Sequence, residues 1–309
     1  MTSAHGSAAE HLAEAGRFGA PDAFLRRLEW TVLRRLDGIQ HGDHRSACRG
    51  NGVDIVDLRA YEAYDDVRHI DWNVTARMDE PYVREYAEER EITAWLLIDR
   101  SLSMTLGPPG RTKERLAAEL AVSLARLLGR SGNRVGAMLM TDSRPPVVIP
   151  AASGRRQTLR IAAELLRPVA PLRGATDLGS LLLPAASALR RRAAVFIVAD
   201  FVTLPGWERG LRMLAHRHDV SALQVTDQLE HDLPDVGLVT VEDAETGAQF
   251  EIDTSNTEFR RRHAALVADR AAIIEDVMRR VGVPHLTVST SDELVPTLAR
   301  LVTRRKIRR

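Results

Sequence analysis

At 309 residues, with 44% hydrophobic and 28% charged side chains, the chain has the make-up of a soluble globular protein: one large domain with an extension, or two modest domains. A net charge of +1 gives no pull toward nucleic acid or an acidic membrane surface, and no run reaches the ~18 apolar residues of a bilayer span. Cys48, the single cysteine, excludes an internal disulfide and a multi-cysteine metal site. A lone thiol, and a start without an apolar leader core, make the cytoplasm the expected location. Lys113 and Lys306 are the only lysines; every other basic residue of that pair of types is arginine, as a GC-rich bacterial genome would encode.

Residues 1–20 read as a loose terminus. Pro21 and Asp22 suit a first helical turn, after which Phe24, Leu25, Leu28, Val32, Leu33 and Leu36 recur at helical spacing. Residues 37–52 are polar and glycine-bearing, a loop, and residues 53–90 are charge-dense. From Thr93 the pattern changes. Short apolar runs at 93–98, 134–140, 147–149, 194–199, 220–225 and 286–288 predict strands. Helical spacing predicts helices at 113–128, 157–166, 178–189, 207–216, 257–281 and 292–302. Ser143-Arg144-Pro145 predicts a turn, and residues 239–242 and 249–252 flank Glu245-Thr246-Gly247 as a hairpin. Thr290 and Glu293 have the spacing of a capping box for the last helix. Strands alternating with helices predict an α/β fold with a doubly wound, mostly parallel sheet over residues 93–309, preceded by an extension at 21–92.

Ligands of such sheets bind beyond the carboxyl ends of the strands. Three polar clusters stand at such ends. Asp99, Ser101 and Ser103 follow the run ending at Ile98, Thr176 and Asp177 open a helix, and Asp200 closes the run 194–199. Two carboxylates and three hydroxyls, without sulfur or imidazole, suit a hard ion such as Mg²⁺ or Mn²⁺. Alternate serines on an extended loop would point both hydroxyls the same way. An ion so held stays electrophilic, and an open position on it attracts a carboxylate. Thr176 and Asp177 also read as a helix N-cap pair, and Asp200 as a turn residue.

Asp99-Arg100-Ser101-Leu102-Ser103, with Thr176 and Asp200, resembles the metal-ion-dependent adhesion site of von Willebrand A domains. Upstream, Gly52-Val53-Asp54, Leu58-Arg59-Ala60-Tyr61, Asp65-Asp66-Val67-Arg68-His69-Ile70-Asp71-Trp72, Ala76-Arg77 and the run Val83 to Arg90, with Arg84, Glu89 and Arg90, resemble the signature of a MoxR-associated bacterial family. That family is catalogued as domain of unknown function fifty-eight. The resemblance covers residues 45–205 closely, departing at Ala63-Tyr64, where the family has Pro-Gly before the paired aspartates. It implies a metal-dependent interaction module whose partners are a MoxR-type AAA+ ATPase and proteins offering an Asp or Glu to the ion.

Within the signature, Arg59, Arg68, Arg77, Arg84 and Arg90 interleave with Asp65, Asp66, Asp71, Glu88 and Glu89. They read as a structural ion-pair network anchored by Tyr61, Ile70 and Trp72; a docking surface is the alternative. His216 and His218 read as helix C-terminal cap residues, not a metal pair. Enzyme motifs fail. The stretch Gly107 to Lys113 has Thr112 where a phosphate-binding loop needs its second glycine. A haloacid-dehalogenase site needs D-x-D, and Ser101 removes the second carboxylate. Two rivals to the interaction reading remain: a Mg²⁺-dependent phosphohydrolase using the same carboxylates, and a scaffold without an ion whose Asp99 and Asp200 are held by arginines such as Arg100. Arg304 to Arg309 reads as a solvated tail.

Overall fold

The apolar runs from Thr93 onward become one six-stranded sheet in the computed structural model, which describes residues 21–28, 55–63, 65–78, 80–86, 92–140, 145–168, 175–242 and 248–306. Its strands are β3 (Thr93–Asp99), β4 (Arg134–Met140), β5 (Val147–Ala152), β6 (Ala194–Ala199), β7 (Asp219–Thr226) and β10 (His285–Ser289). They lie in the order β10-β7-β6-β3-β4-β5. All neighbours are parallel except β5, which runs antiparallel to β4. The α/β, doubly wound, mostly parallel sheet expected from the alternation is the fold observed.

Both faces of this sheet are covered, which is why its strands read as unbroken apolar runs. Alternate residues supply two cores. Ala94, Leu96, Ile98, Phe196 and Val198 pack with α1 (Pro21–Leu28), α3 (Lys113–Arg130), α4 (Arg155–Leu165) and α9 (Leu294–Lys306). Leu97, Val195, Ile197 and Ala199 pack on the other side with α5 (Gly179–Ala188), α6 (Trp207–Arg217) and α8 (Thr257–Val281). α8 starts at Asn256, whose side chain accepts the Glu258 and Phe259 N–H groups, and stops at Gly282, in the left-handed region at φ 73°. His218 closes α6 as its C-cap, as expected, and burial followed by the Arg217 charge holds its imidazole below the usual histidine range.

The chain divides into two units, residues 41–91 and residues 1–40 with 92–309. The expected extension 21–92 is therefore split: Phe24, Leu25 and Leu28 of α1 join the core of the larger unit, and Asp22 pairs with Arg155 at 2.9 Å. The expected continuation of that helix to Leu36, the loose terminus 1–20 and Cys48 lie outside the described residues. So do most of the turn around Ser143 and all of Glu245-Thr246-Gly247. The strands flanking that second turn, β8 (Leu238–Glu242) and β9 (Gln249–Asp253), do pair antiparallel.

In the smaller unit, β1 (Ile55–Ala60) pairs antiparallel with β2 (Tyr82–Tyr86), and α2 (Trp72–Met78) lies between them in sequence. The family signature reads here as local construction. Arg59 grips Asp65 with two hydrogen bonds of 2.7 and 2.6 Å, and Asp65 also accepts the Glu62 N–H. The Arg59 bond, then the Glu62 N–H, hold the Asp65 carboxyl below its usual range. Asp66 caps the short 3-10 turn 67–69 through the Arg68 N–H. Asp71 accepts the Asn73 and Val74 N–H groups at the start of α2. The charges thus satisfy backbone more than each other: of the arginines expected to face acids, Arg59 has its ion pair, while Arg68 and Arg77 are exposed. Glu88, Glu89 and Arg90 lie outside the described residues, and Arg84 is placed only as a β2 residue opposite Leu58.

One expectation for this unit is corrected. Trp72 is 68% exposed, and Tyr61 and Ile70 are half-buried, so the three are not core anchors. Trp72 opens α2, where the buried place is taken by Asp71, whose carboxylate must stay against the first-turn N–H groups.

Candidate cation site at the strand ends

Chain order runs β3, β4, β5 outward on one side and then returns to β6 on the other side of β3. The crevice between β3 and β6 is thus the sheet's topological switch point. Ile98 and Val198 are in register across it, so Asp200 leaves β6 one residue beyond the level of Asp99, near enough for its charge to act on Asp99. The helix N-terminus of α3 follows the β3 loop, and a short helix, α7 (Gln228–His231), follows the end of β7.

Asp99 is 1% exposed and, among the described residues, accepts hydrogen bonds from Ser101 alone, its N–H at 2.8 Å and its hydroxyl. Burial first, and the neighbouring Asp200 charge second, push its carboxyl up to about 7 against an ordinary 3.8; the Ser101 bonds and Lys113 offset part of that. Ser101 and Ser103 are buried with their Oγ atoms 3.0 Å apart. The expected extended loop is not what aligns them. Ser101 caps a 3-10 turn at 102–105 with its backbone only, and Ser103 lies inside that turn, whose tight winding turns both hydroxyls to one side.

Both oxygens of Asp200 accept a hydrogen bond. Its Oδ1 accepts the Val202 N–H at 2.9 Å and its Oδ2 accepts the Lys113 ammonium at 2.8 Å. The next residue, Phe201, sits at φ 60°, a strained value for a non-glycine residue. Its ring is buried 5.3 Å from Trp207 and 6.3 Å from His285, and that packing holds the turn. Thr176 is buried, and its carbonyl accepts the Thr203 hydroxyl and the Leu204 N–H, which lays its loop along the one after Asp200. Neither Thr176 nor Asp177 is the N-cap of α5; Leu178 holds that place without a side-chain bond.

The residue that sequence reasoning missed is Lys113. It is the first residue of α3, 0% exposed, and its Nζ reaches Asp200 and, at 2.5 Å, Glu230 Oε1. Burial alone would lower its pKa, but the Asp200 and Glu230 charges outweigh that and raise it, so the ammonium is charged. Glu230 also closes a capping box on α7: its other oxygen accepts the Asp227 N–H while Asp227 accepts the Leu229 N–H. Asp227 in turn receives the Thr290 hydroxyl. That bond overturns the capping box expected between Thr290 and Glu293: the last helix begins only at Leu294, because Thr290 is turned inward to β7's end. The pattern Asp227-x-x-Glu230 after a strand was the available signal for α7; for Lys113 the signal was its rarity among so many arginines.

Arg100 does not hold Asp99 or Asp200. It turns away to Glu114 at 2.8 Å and to the carbonyls of Glu164 and Arg167, at the C-terminal end of α4. The role expected of it falls, at Asp200, to Lys113.

The donors at Asp99 fit a hard cation. A carboxylate this buried, bonded to no cationic side chain among the described residues, has the Lys113 charge nearby as only a partial offset. Two hydroxyl oxygens 3.0 Å apart match the edge of an octahedron of ~2.1 Å bonds, the spacing Mg²⁺ requires. Among the described residues no three His, Cys, Asp or Glu side chains converge, so an ion here would depend on hydroxyls.

The chain belongs to the family described as protein of unknown function DUF58, which it matches over residues 57–273. It is 37% identical over 290 residues to the uncharacterized protein Rv1480 of Mycobacterium tuberculosis (strain ATCC 25618 / H37Rv), covering 92% of this chain and 89% of that one. An uncharacterized protein of Mycobacterium bovis, Mb1516, matches to the same extent. Similar solved structures include the conserved hypothetical protein BatB from Bacteroides thetaiotaomicron, with TM-score 0.45, 15% identity and 69% and 98% of the two chains covered. The SpRpn10 VWA domain matches with TM-score 0.36, 15% identity and coverage of 70% and 95%. No described helix is long and apolar enough to cross a membrane.

Proposed function

We propose that this chain is a protein-interaction module that uses a divalent cation, held by Asp99, Ser101 and Ser103 with Thr176 and Asp200 beside them, to bind an acidic side chain of a partner. The observation that carries the reading is the buried, under-compensated Asp99 carboxylate beside two converging hydroxyls at the switch point of the sheet. Mg²⁺ or Mn²⁺ bound there would supply an electrophilic centre with an open position, and the neutral hydroxyls would leave its charge only partly offset.

Exposed leucines sit on three of the loops that build the site. Leu106 precedes α3 and its carbonyl accepts the Lys113 N–H, Leu204 hangs from the Thr176 carbonyl, and Leu229 adjoins Glu230. Apolar groups around a charged centre suit a protein surface. Binding, not turnover, is our reading: position 101 carries a hydroxyl where a phosphohydrolase of this type needs an acid, and the Asp200 charge is paired with the Lys113 ammonium. The resemblance to the MoxR-associated family makes a MoxR-type AAA+ ATPase the partner we propose, with assembly or activation of other proteins as the process.

The test is a binding measurement between the purified chain and the MoxR-type ATPase of the same cell. Binding is expected in Mg²⁺ and lost in chelator, in Asp99→Ala, and in the double variant L204K/L229K. Binding indifferent to chelator and to Asp99→Ala would contradict the reading.

A further inference from the structure

Lys113 is where this site differs from a plain nest of oxygen donors. The chain has two lysines and otherwise meets every need for fixed positive charge with arginine, yet a lysine fills the buried position beside Asp200. An ammonium is a compact point charge with three donors, whereas a guanidinium is a broad planar fork, so lysine suits so closed a place better than arginine does. The helix does not ask for it. The first position of α3 is the positive end of the helix dipole, where a cation is disfavoured. What holds the ammonium is the pair of carboxylates, at 2.8 Å from Asp200 in the loop after β6 and 2.5 Å from Glu230 in α7, after β7. Cross-linking strand-end loops through carboxylates is the work a bound metal does.

Each Asp200 oxygen accepts one hydrogen bond, from the Val202 N–H and from Lys113, and keeps a second lone pair. An ion that comes to Asp200 therefore meets the ammonium at 2.8 Å from Oδ2, which repels it. We propose that Lys113 is the resident cation of the site: it holds Asp200 and Glu230 in place without a divalent ion, and it competes with the ion for Asp200. The inference rests on the reading of Asp99, Ser101 and Ser103 as cation donors. Lys113 then sets the divalent affinity of the wild type low, and its release from Asp200 accompanies metal entry.

The experiment is calorimetric titration of Mn²⁺ into the wild type, Lys113→Met, and Lys113→Met combined with Asp99→Ala. Lys113→Met is expected to bind Mn²⁺ at least tenfold more tightly than the wild type, and the added Asp99→Ala to abolish binding. Affinity equal to or below that of the wild type overturns the proposal. Lys113→Met leaves two carboxylates without their cation, so K113M/E230Q, which removes one of those charges, is titrated alongside with the same expectation. The wild type carries an independent readout. With two lysines, lysine-selective isotope labelling gives two ε-signals, assigned by Lys306→Arg. Saturating Mg²⁺ is expected to move the Lys113 signal and not the other; a stationary Lys113 signal overturns the proposal. Asp99-dependent binding to the wild type, with no gain in the variants and no movement at Lys113, contradicts this inference and leaves the cation site standing. Absence of Asp99-dependent binding in every variant contradicts both.

Discussion

At the scale of single residues, the energetic centre of the site is Asp99. Without a divalent ion, its folded-state carboxyl stays protonated up to about 7, whereas in the unfolded chain it ionises near 3.8. Between those values the unfolded state has lost a proton that the folded state keeps, so Asp99 makes the metal-free fold less stable as pH rises from 4 to 7, a loss complete above that range. Asp200 and Lys113 are the charged groups that act on it, and Lys113 stays charged throughout that window. Asp99→Asn removes the titration. In chelator it is expected to match the wild type at pH 4 and to exceed it at pH 8 by on the order of 2–4 kcal/mol in urea unfolding. Curves that stay the same distance apart at every pH would contradict this. The D-x-S-x-S string was legible because its residues are sequential; its geometry was not, since a 3-10 turn, not an extended loop, brings the hydroxyls together. Lys113 was missed, and Arg100 does not take the place the scaffold reading gave it, for one reason: partners 87 and 14 residues away decide where a long cationic side chain goes.

At the scale of elements, what the sequence disclosed followed burial. The strands of the large sheet are covered on both faces and announce themselves as apolar runs; β1 and β2, carrying charges at Asp57, Arg59, Arg84 and Glu85, do not. The short helices α2 and α7 depend on local capping by Asp71 and Asp227, which periodicity does not register. Helix packing was equally hidden. Gly210 in the middle of α6 lets α5 approach so closely that an added Cβ would stand 2.7 Å from the Leu182 Cβ and 3.1 Å from its backbone. Alanine in a helix interior ordinarily gains about 1 kcal/mol over glycine. Here Gly210→Ala is expected to cost roughly 1–3 kcal/mol, because backbone as well as side chain must move. A lowered urea midpoint checks it, and an unchanged or raised midpoint would show that the two helices are free to separate.

For the molecule as a whole, sheet order fixes where function can sit. β3 stands between β4 and β6, so the crevice between β3 and β6 receives the loops after both; Asp99, Ser101, Ser103 and Asp200 fall there, and Thr176 is brought alongside from the loop before α5. That much was readable, since alternating strands and helices imply strand ends on one edge. The order of the strands was not, because it depends on which apolar runs pair. The smaller unit was legible as a family signature, and only its internal hydrogen bonds show that Arg59, Asp65, Asp66 and Asp71 build turns. The central claim, a divalent cation seated at Asp99, is tested most directly by thermal unfolding with and without millimolar Mg²⁺ in the wild type and in Asp99→Ala. Mg²⁺ is expected to raise the wild-type midpoint and to leave that of the variant, still folded, unmoved. The same Mg²⁺ response in both proteins would contradict the account.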